Sequence, residues 1–223
     1  MEFIYEGIKY VEEQDGLVVL GFSDENYNQN LEIPAFVKGI PVVEIGKDAF
    51  ATRNIRTAVL PASLSVIRYG AFALCFTLKE VSFFTTDNFQ EKDALIIEKH
   101  AFWCCEYLEY IMAGNRTIHI CEAGLKRCCS LIQLQCVISC AESESLQFCR
   151  QLEGVVFAND AIIDNYVFGN TGITQLVFIG NATIAPITLS DIWFRQIKIL
   201  CVENSNLTEL AYDGFKIELF SNM

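Results

Sequence analysis

Apolar residues return along this chain in one fixed constellation. The segment from Ile67 to Phe83 reads I-x-x-x-A-F-x-x-C-x-x-L-x-x-V-x-F, with Ala71-Phe72, Cys75, Leu78, Val81 and Phe83 at set offsets. The same offsets recur from Ile97 (Ala101-Phe102, Cys105, Leu108, Ile111) and from Ile120 (Leu125, Cys128, Leu131, Leu134, Cys136). They recur again through Leu146, Cys149, Leu152, Val155 and Phe157. Three copies are one residue shorter after the anchor: Ile45-Phe50-Ile55-Ala58-Leu60, Ile163-Phe168-Ile173-Leu176-Phe178 and Ile187-Ile192-Ile197-Leu200-Val202. The anchors fall at 50, 72, 102, 125, 146, 168, 192 and, in a frayed copy that starts at Leu210, at 215. Their intervals are 22, 30, 23, 21, 22, 24 and 23 residues. A period near ~23 marks a solenoid, because each unit carries an apolar face that it cannot bury alone.

The spacing inside a unit predicts its elements. Leu78-x-x-Val81-x-Phe83 holds a period-two pair, which suits a short strand with Val81 and Phe83 inward and Ser82 outward. A second alternation precedes each anchor, as in Val43-Glu44-Ile45 and Ile118-His119-Ile120, and predicts another short strand. Between them Ala71-Phe72-Ala73-Leu74-Cys75 supplies a helical or irregular turn with Phe72 and Cys75 on one face. Stacking successive coils at the strand spacing of ~4.8 Å aligns the anchor rings in an interior column. Each buried ring contributes roughly 1.5–3 kcal/mol.

The ends depart from the period. Phe3-Ile4-Tyr5 and Leu17-Val18-Val19-Leu20 flank Gln14-Asp15-Gly16, a hairpin signal, and a hairpin there covers the open strand edge of the first coil. Asp24 to Asn30 reads as a polar connector. The far end, Phe215-Lys216-Ile217-Glu218-Leu219-Phe220, is amphipathic and short; it either folds over the last coil or leaves that coil to pair with another chain. The single long interval comes from the stretch between Phe84 and Ala94, an insertion of the kind that projects from one face of a solenoid. The expected organisation is one domain over residues 1–223, with a hairpin cap over 1–30, repeats over 31–209, and a frayed last repeat or C-terminal cap over 210–223.

Composition agrees with a large buried core. The 223 residues are 52% hydrophobic, 12% aromatic and 20% charged, which excludes a disordered chain. The net charge of −12 disfavours a polyanion, so no nucleic-acid partner is expected. The start Met1-Glu2-Phe3-Ile4-Tyr5-Glu6 is acidic rather than basic and no apolar run approaches the ~20 residues of a span. The chain as written therefore reads as cytoplasmic without membrane insertion, the alternative being a surface or secreted location.

Candidate chemistry is sparse. Ten cysteines occur without a C-x-x-C, and a zinc site with histidines at the usual spacing is missing. Cys75, Cys105, Cys128 and Cys149 share one place in successive units and should stack as a ladder of compact, buried thiols. The alternative is a disulfide between off-ladder cysteines. In the adjacent pairs Cys104-Cys105 and Cys128-Cys129 one member should leave the ladder. No metal, no cofactor and no catalytic residue is expected: ladder thiolates would have to leave the interior, and His100 and His119 fall at outward, solvated places. G-x-S-x-G, H-E-x-x-H and the P-loop are absent. Asn115-Arg116-Thr117, Asn181-Ala182-Thr183 and Asn206-Leu207-Thr208 fit glycosylation triplets, which stay idle without export.

Outward places of the Leu-x-x-Val-x-Phe strands say more. One row is Val59, Ser82, Met112, Gln135, Val156, Val177 and Cys201; beside it run Thr57, Glu80, Tyr110, Gln133, Gly154, Gln175 and Ile199. A half-apolar row on an exposed sheet face exceeds ordinary scatter. Its candidate partner-binding residues are Tyr110, Met112, Gln133, Gln135, Val156, Gln175 and Val177, with Tyr110 and Met112 as anchors. The alternative is that the row only stabilises the sheet through cross-strand contacts.

Ala49-Phe50, Ala71-Phe72, Ala101-Phe102, the four ladder cysteines and the strand exit Leu60-Pro61 together resemble the BspA-like branch of the leucine-rich repeat family. The resemblance runs from about Ile33 to Phe215, and the opening Leu31-Glu32-Ile33-Pro34 and Lys38 to Gly46 is similar to how such arrays begin. Leu125 and Leu146 in place of Phe, Ala141 in place of Ile, and the loss of Pro from later strand exits are departures in the middle units. The resemblance implies a mostly β solenoid (α+β at most), a right-handed leucine-rich repeat array of about seven to eight coils with short strands and short helical turns. It implies a non-catalytic module that presents an exposed strand face to a protein partner. A structural or self-associating element, a homo-oligomer through the C-terminal end, is the other reading, and a surface adhesion protein without its export signal a third.

Overall fold

An apolar repeat of this length hides its side chains only if neighbouring coils also satisfy one another's backbone, and parallel strand pairing does both. The computed structural model of the protein describes residues 1–24, 29–84, 94–188, 197–202, 205–207 and 216–220. Among these, the chain is a β-solenoid of about seven turns with almost no helix. Strands are numbered in chain order and form two parallel ladders, the first of them interrupted between Gln135 and Gly154.

The first ladder carries the Leu-x-x-Val-x-Phe strands. It comprises β4 (Asn30–Glu32), β7 (Thr57–Pro61), β9 (Glu80–Phe84), the start of β11 (Tyr110–Ile120), and the start of β12 (Gln133–Ala141). It continues through β13 (Gly154–Ile163), β14 (Gln175–Phe178), β16 (Lys198–Val202) and β17 (Lys216–Phe220). The second ladder holds β3 (Gly16–Phe22), β6 (Ile40–Ile45), β8 (Val66–Ile67), β10 (Leu95–Ile97), the later halves of β11, β12 and β13, and β15 (Ala182–Ile184). Val19, Ile45, Ile67, Ile97, Ile120, Ala141, Ile163 and Ile184 pair in unbroken register along it. A register shift between Ile138 and Cys140 separates β12 from β13, so the long strands are not straight copies of one another.

The anchor turns take the irregular form. Residues two before and two after each of the six described anchors sit at positive φ: Asp48 and Thr52, Gly70 and Leu74, His100 and Cys104, Ala123 and Arg127, Glu144 and Phe148, Tyr166 and Asn170, all between 52° and 66°. A left-handed residue ends right-handed helix, so two per turn leave a run of tight turns closed by i to i+3 bonds such as Ala51 N–H to Asp48 and Arg53 N–H to Phe50. The intervening N–H groups point to the next coil. Asp48, Phe50 and Thr52 donate to the carbonyls of Tyr69, Ala71 and Ala73; Gly70, Phe72 and Leu74 donate to Lys99, Ala101 and Trp103. Coils are therefore hydrogen-bonded to their neighbours on three sides.

Anchor rings stack inside. Phe22, Phe50, Phe72 and Phe102 follow one another at centroid distances of 5.0, 5.3 and 5.1 Å, the last pair within 1° of parallel. Leu125 and Leu146 continue the buried column without rings, and Phe168 resumes it with its edge on Phe157 at 6.2 Å. Ile192, Leu210 and Phe215 lie outside the described residues, as do residues 85–93 of the long interval.

The N-terminal cap is larger than the expected hairpin. The turn at Gln14-Asp15 is present, but its first arm is β2 (Ile8–Glu13), and β1 (Glu2–Tyr5) adds a third antiparallel strand through the turn Glu6-Gly7. Lys9, Glu12 and Glu13 dilute the apolar signal of β2, yet Ile8 and Tyr10 alternate inward. Glu6 and Gly7 are both left-handed, the conformation a two-residue hairpin requires. Lys38-Gly39 repeats that turn between β5 (Phe36–Val37) and β6. At the other end, β17 pairs parallel with β16 and begins another rung rather than folding over as an antiparallel lid.

Candidate functional site

The cysteine ladder forms as expected. Cys75, Cys105, Cys128 and Cys149 are buried, and each thiol donates to the anchor carbonyl of the preceding coil: Phe50 at 3.1 Å, Phe72 at 3.0 Å, Phe102 at 3.3 Å and Leu125 at 3.3 Å. Burial pushes the Cys75 thiol up to about 12 and holds those of Cys105, Cys128 and Cys149 well above the ordinary range. A thiol held protonated near neutral pH is a poor nucleophile. Thr171 takes the same place one coil on and turns its hydroxyl to its own coil, at 2.9 Å from the Phe168 carbonyl. Cys129 leaves the ladder and is half-buried, whereas Cys104 is buried beside it.

On the first ladder the strand register sets the candidate residues side by side. Glu80, Tyr110 and Gln133 form one row and Ser82, Met112 and Gln135 the next; past the register shift, Gly154 pairs with Gln175 and Val156 with Val177. Gln133, Gln135 and Gln175 are exposed, and Tyr110, Met112, Val156 and Val177 are half-buried. The last coil departs from the expected rows. Val177 pairs with Leu200 and Gln175 with Lys198, while Ile199 and Cys201 are buried. A one-residue offset exchanges the two faces of a strand, and here Ile199 and Cys201 take the core. Lys198 instead reaches across to Glu218 at 2.6 Å.

Two features beside these rows were invisible to offset counting. Phe76 and Tyr107 stand 49% and 58% exposed on neighbouring coils, and with Gln29, Arg56, Thr77 and Lys79 they line a shallow groove of about 320 Å³ next to the first ladder. Over the anchor turns a groove of about 590 Å³ is lined by Asp48, Tyr69, His100, Trp103, Lys126 and Arg127, among others. His100 is not a free solvated ring: its centroid lies 5.6 Å from Tyr69 and 5.7 Å from Trp103. Burial, then the neighbouring Lys99, lowers its pKa. The cations around this groove are matched by acids, Lys99 with Glu122 (2.8 Å), Lys126 with Glu144 (2.6 Å) and Arg127 with Glu106 (3.5 Å).

His119, Cys121 and Glu142 meet on the second ladder. His119 Nε2 is 2.9 Å from Glu142 Oε1 and 3.9 Å from Cys121 Sγ, and all three side chains are half-buried. Glu142 Oε2 accepts the Glu122 backbone N–H at 2.9 Å, which fixes the carboxylate. Cys121 and Glu142 take the same place on successive coils, their N–H groups donating to Ile97 and Ile120, and Cys140 is the register partner of His119. Of the triplet asparagines, Asn181 and Asn206 are used between coils: Asn181 N–H donates to Asn159 Oδ1 and Asn206 N–H to Asn181 Oδ1, at 3.0 and 3.1 Å. Within the described residues no helix is long and apolar enough to cross a membrane.

The sequence matches the model of the BspA type leucine-rich repeat region in six copies, over residues 22–94 and 88–187. Among curated proteins none matches in sequence. By structure the chain is similar to a leucine-rich cell surface protein of Faecalibacterium prausnitzii A2-165, with a TM-score of 0.65 and 18% identity, over 90% of this chain and 54% of that one. It thus spans about half the length of that protein. It is also similar to a leucine-rich repeat protein of T. pallidum, with a TM-score of 0.51 and 15% identity over the whole of both chains.

Proposed function

The chain belongs to the BspA-type leucine-rich repeat family, and from that premise we propose that it is a non-catalytic module that binds a protein partner on its first ladder. The observation that carries this reading is the row Glu80–Tyr110–Gln133 with its neighbour Ser82–Met112–Gln135, flanked by exposed Phe76 and Tyr107. Aromatic and methionine side chains are over-represented at interface cores. Parallel pairing holds them at fixed intervals, so little side-chain and backbone freedom remains to be lost when a partner docks. Burial holds the ladder thiols protonated near neutral pH, which leaves them poor nucleophiles. A cell-surface location is part of the proposal, on the strength of the Faecalibacterium relative.

The test is affinity capture with wild type and with Tyr110→Ala plus Met112→Ala. Proteins retained by the wild type and lost by the variant support the reading; identical recovery of every protein removes it. A second reading, end-to-end self-association, is favoured by β17, whose outer edge pairs with no strand among the described residues. Light scattering over a concentration series separates the two, since a monomer at all concentrations eliminates self-association.

A further inference from the structure

We propose that His119, Cys121 and Glu142 form a binding site for a single borderline-soft divalent cation of the zinc class. The site lies on the second ladder and stands apart from the partner-binding rows of the first. Strand alternation places His119 and Cys121 two apart on the outer side of β11 and its exit. The next coil brings Glu142 alongside, its N–H bonded to the Ile120 carbonyl. One imidazole nitrogen, one sulfur and one carboxylate oxygen thus converge within 4.8 Å of one another. Zinc bonds of ~2.0–2.3 Å in a tetrahedron require donor separations of about 3.3–3.6 Å. The 3.9 Å between Cys121 and His119 must shorten slightly, and the 2.9 Å between His119 and Glu142 must lengthen slightly, as a cation replaces the shared proton.

The surroundings suit a cation. Glu98 and Asp164 precede and follow in the same column of residues, since the N–H groups of Glu98, Cys121, Glu142 and Asp164 donate in turn to Ile67, Ile97, Ile120 and Ala141. Cys140 pairs directly with His119 in the strand register. Glu142 is oriented by the Glu122 N–H, the kind of supporting bond that fixes a metal-ligating carboxylate. Binding of the cation releases the Cys121 thiol proton, since the sulfur ligates as thiolate. With His119 and Glu142 side chains 31% and 38% exposed, an ion can enter, and a fourth position remains for water. The three-ligand, nitrogen–sulfur–oxygen set favours zinc or cobalt over magnesium or calcium, which take oxygen donors.

The experiment is Co²⁺ titration of the full chain, stripped of metal and kept reduced, followed by absorption and then by Zn²⁺ displacement. Saturation at one equivalent with a thiolate-to-cobalt charge-transfer band, erased by Zn²⁺, is expected. Cys121→Ser abolishes that band, and Cys129→Ser, at a half-buried thiol outside the cluster, leaves it unchanged. Loss of a partner that merely orients a ligand costs about 10–100-fold in metal affinity; loss of the ligand in His119→Gln or Cys121→Ser is expected to cost at least about 100-fold. Thermal melts without metal should superimpose for all four proteins, which separates lost binding from lost fold. No saturable band in the wild type, or a band that survives Cys121→Ser, overturns the site. Should Cys121→Ser fail to fold, an unchanged zinc affinity in His119→Gln overturns it equally.

Discussion

The thiol of Cys105 donates to the backbone carbonyl of Phe72 across 3.0 Å, and so ties its coil to the one before it, as Cys75, Cys128 and Cys149 do at the same place in theirs. Both groups are buried. The contact explains why a cysteine rather than an alanine stands three residues after an anchor: it fills a small volume and supplies a weak donor. Cys105→Ala removes both and is expected to lower the unfolding free energy by about 1–3 kcal/mol. Urea denaturation at fixed pH measures it; an unchanged midpoint would show that the ladder is incidental.

Phe72 lies between Phe50 and Phe102 in the ring stack, whereas Leu125 and Leu146 fill the same place two and three coils further on. Phe72→Leu therefore keeps a side chain that the column accepts elsewhere and should cost about 1–2 kcal/mol. Phe72→Ala opens a cavity and should cost about 3–5 kcal/mol. Equal melting temperatures for the two variants would refute a continuous packed column.

Burial raises the Cys75 and Cys136 thiols to about 12 in the folded chain, well above the ordinary value. Between the unfolded and folded values the unfolded chain binds fewer protons, so folding stability must fall as pH rises. Stability should be flat with respect to these groups below about pH 8.5 and decline from there toward pH 12. Cys75→Ala should flatten that alkaline decline while lowering stability at pH 7. A decline of unaltered slope would be the disproof.

Thr52 is a β-branched residue at φ 62°, exposed, two places after the first anchor. That conformation costs an L-residue roughly 1–2 kcal/mol, and glycine adopts it freely. Thr52→Gly is expected to raise stability by up to about 1 kcal/mol, visible as a higher melting temperature. A fall in melting temperature would mean that the Thr52 hydroxyl, 2.6 Å from the Ala51 carbonyl, contributes more than the strain removes.

The repeat was legible because its anchors, cysteines and strand residues all report the same burial. Phe50, Phe72, Phe102, Leu125, Leu146 and Phe168 could be placed inside from spacing alone. Conformations that leave no apolar trace were not legible. The paired left-handed residues around each anchor include Asp, Thr, Leu, His, Cys, Ala, Arg, Glu, Phe, Tyr and Asn, with one Gly, so no residue type announced the turns. In β2 the outward Lys9 masked the inward pair Ile8 and Tyr10. In the last coil Ile197-x-x-Leu200-x-Val202 and Ile199-x-Cys201 are both apolar, and only the observed pairing decides between them. The His119, Cys121 and Glu142 grouping requires knowing which residues of successive coils share a rung, because Glu142 lies about a repeat beyond the other two.

The repeated bonding of the anchor turns has an evolutionary corollary. Where successive turns offer the same donors and acceptors, as those at Phe50, Phe72 and Phe102 do, a whole unit can be excised or duplicated and the severed edges will still match. Length is then a heritable variable that changes in steps of one coil, and the reach of the recognition surface can be tuned by copying rather than by invention. A deletion of one or two residues within a unit has no such freedom, for it throws every bond beyond it out of step.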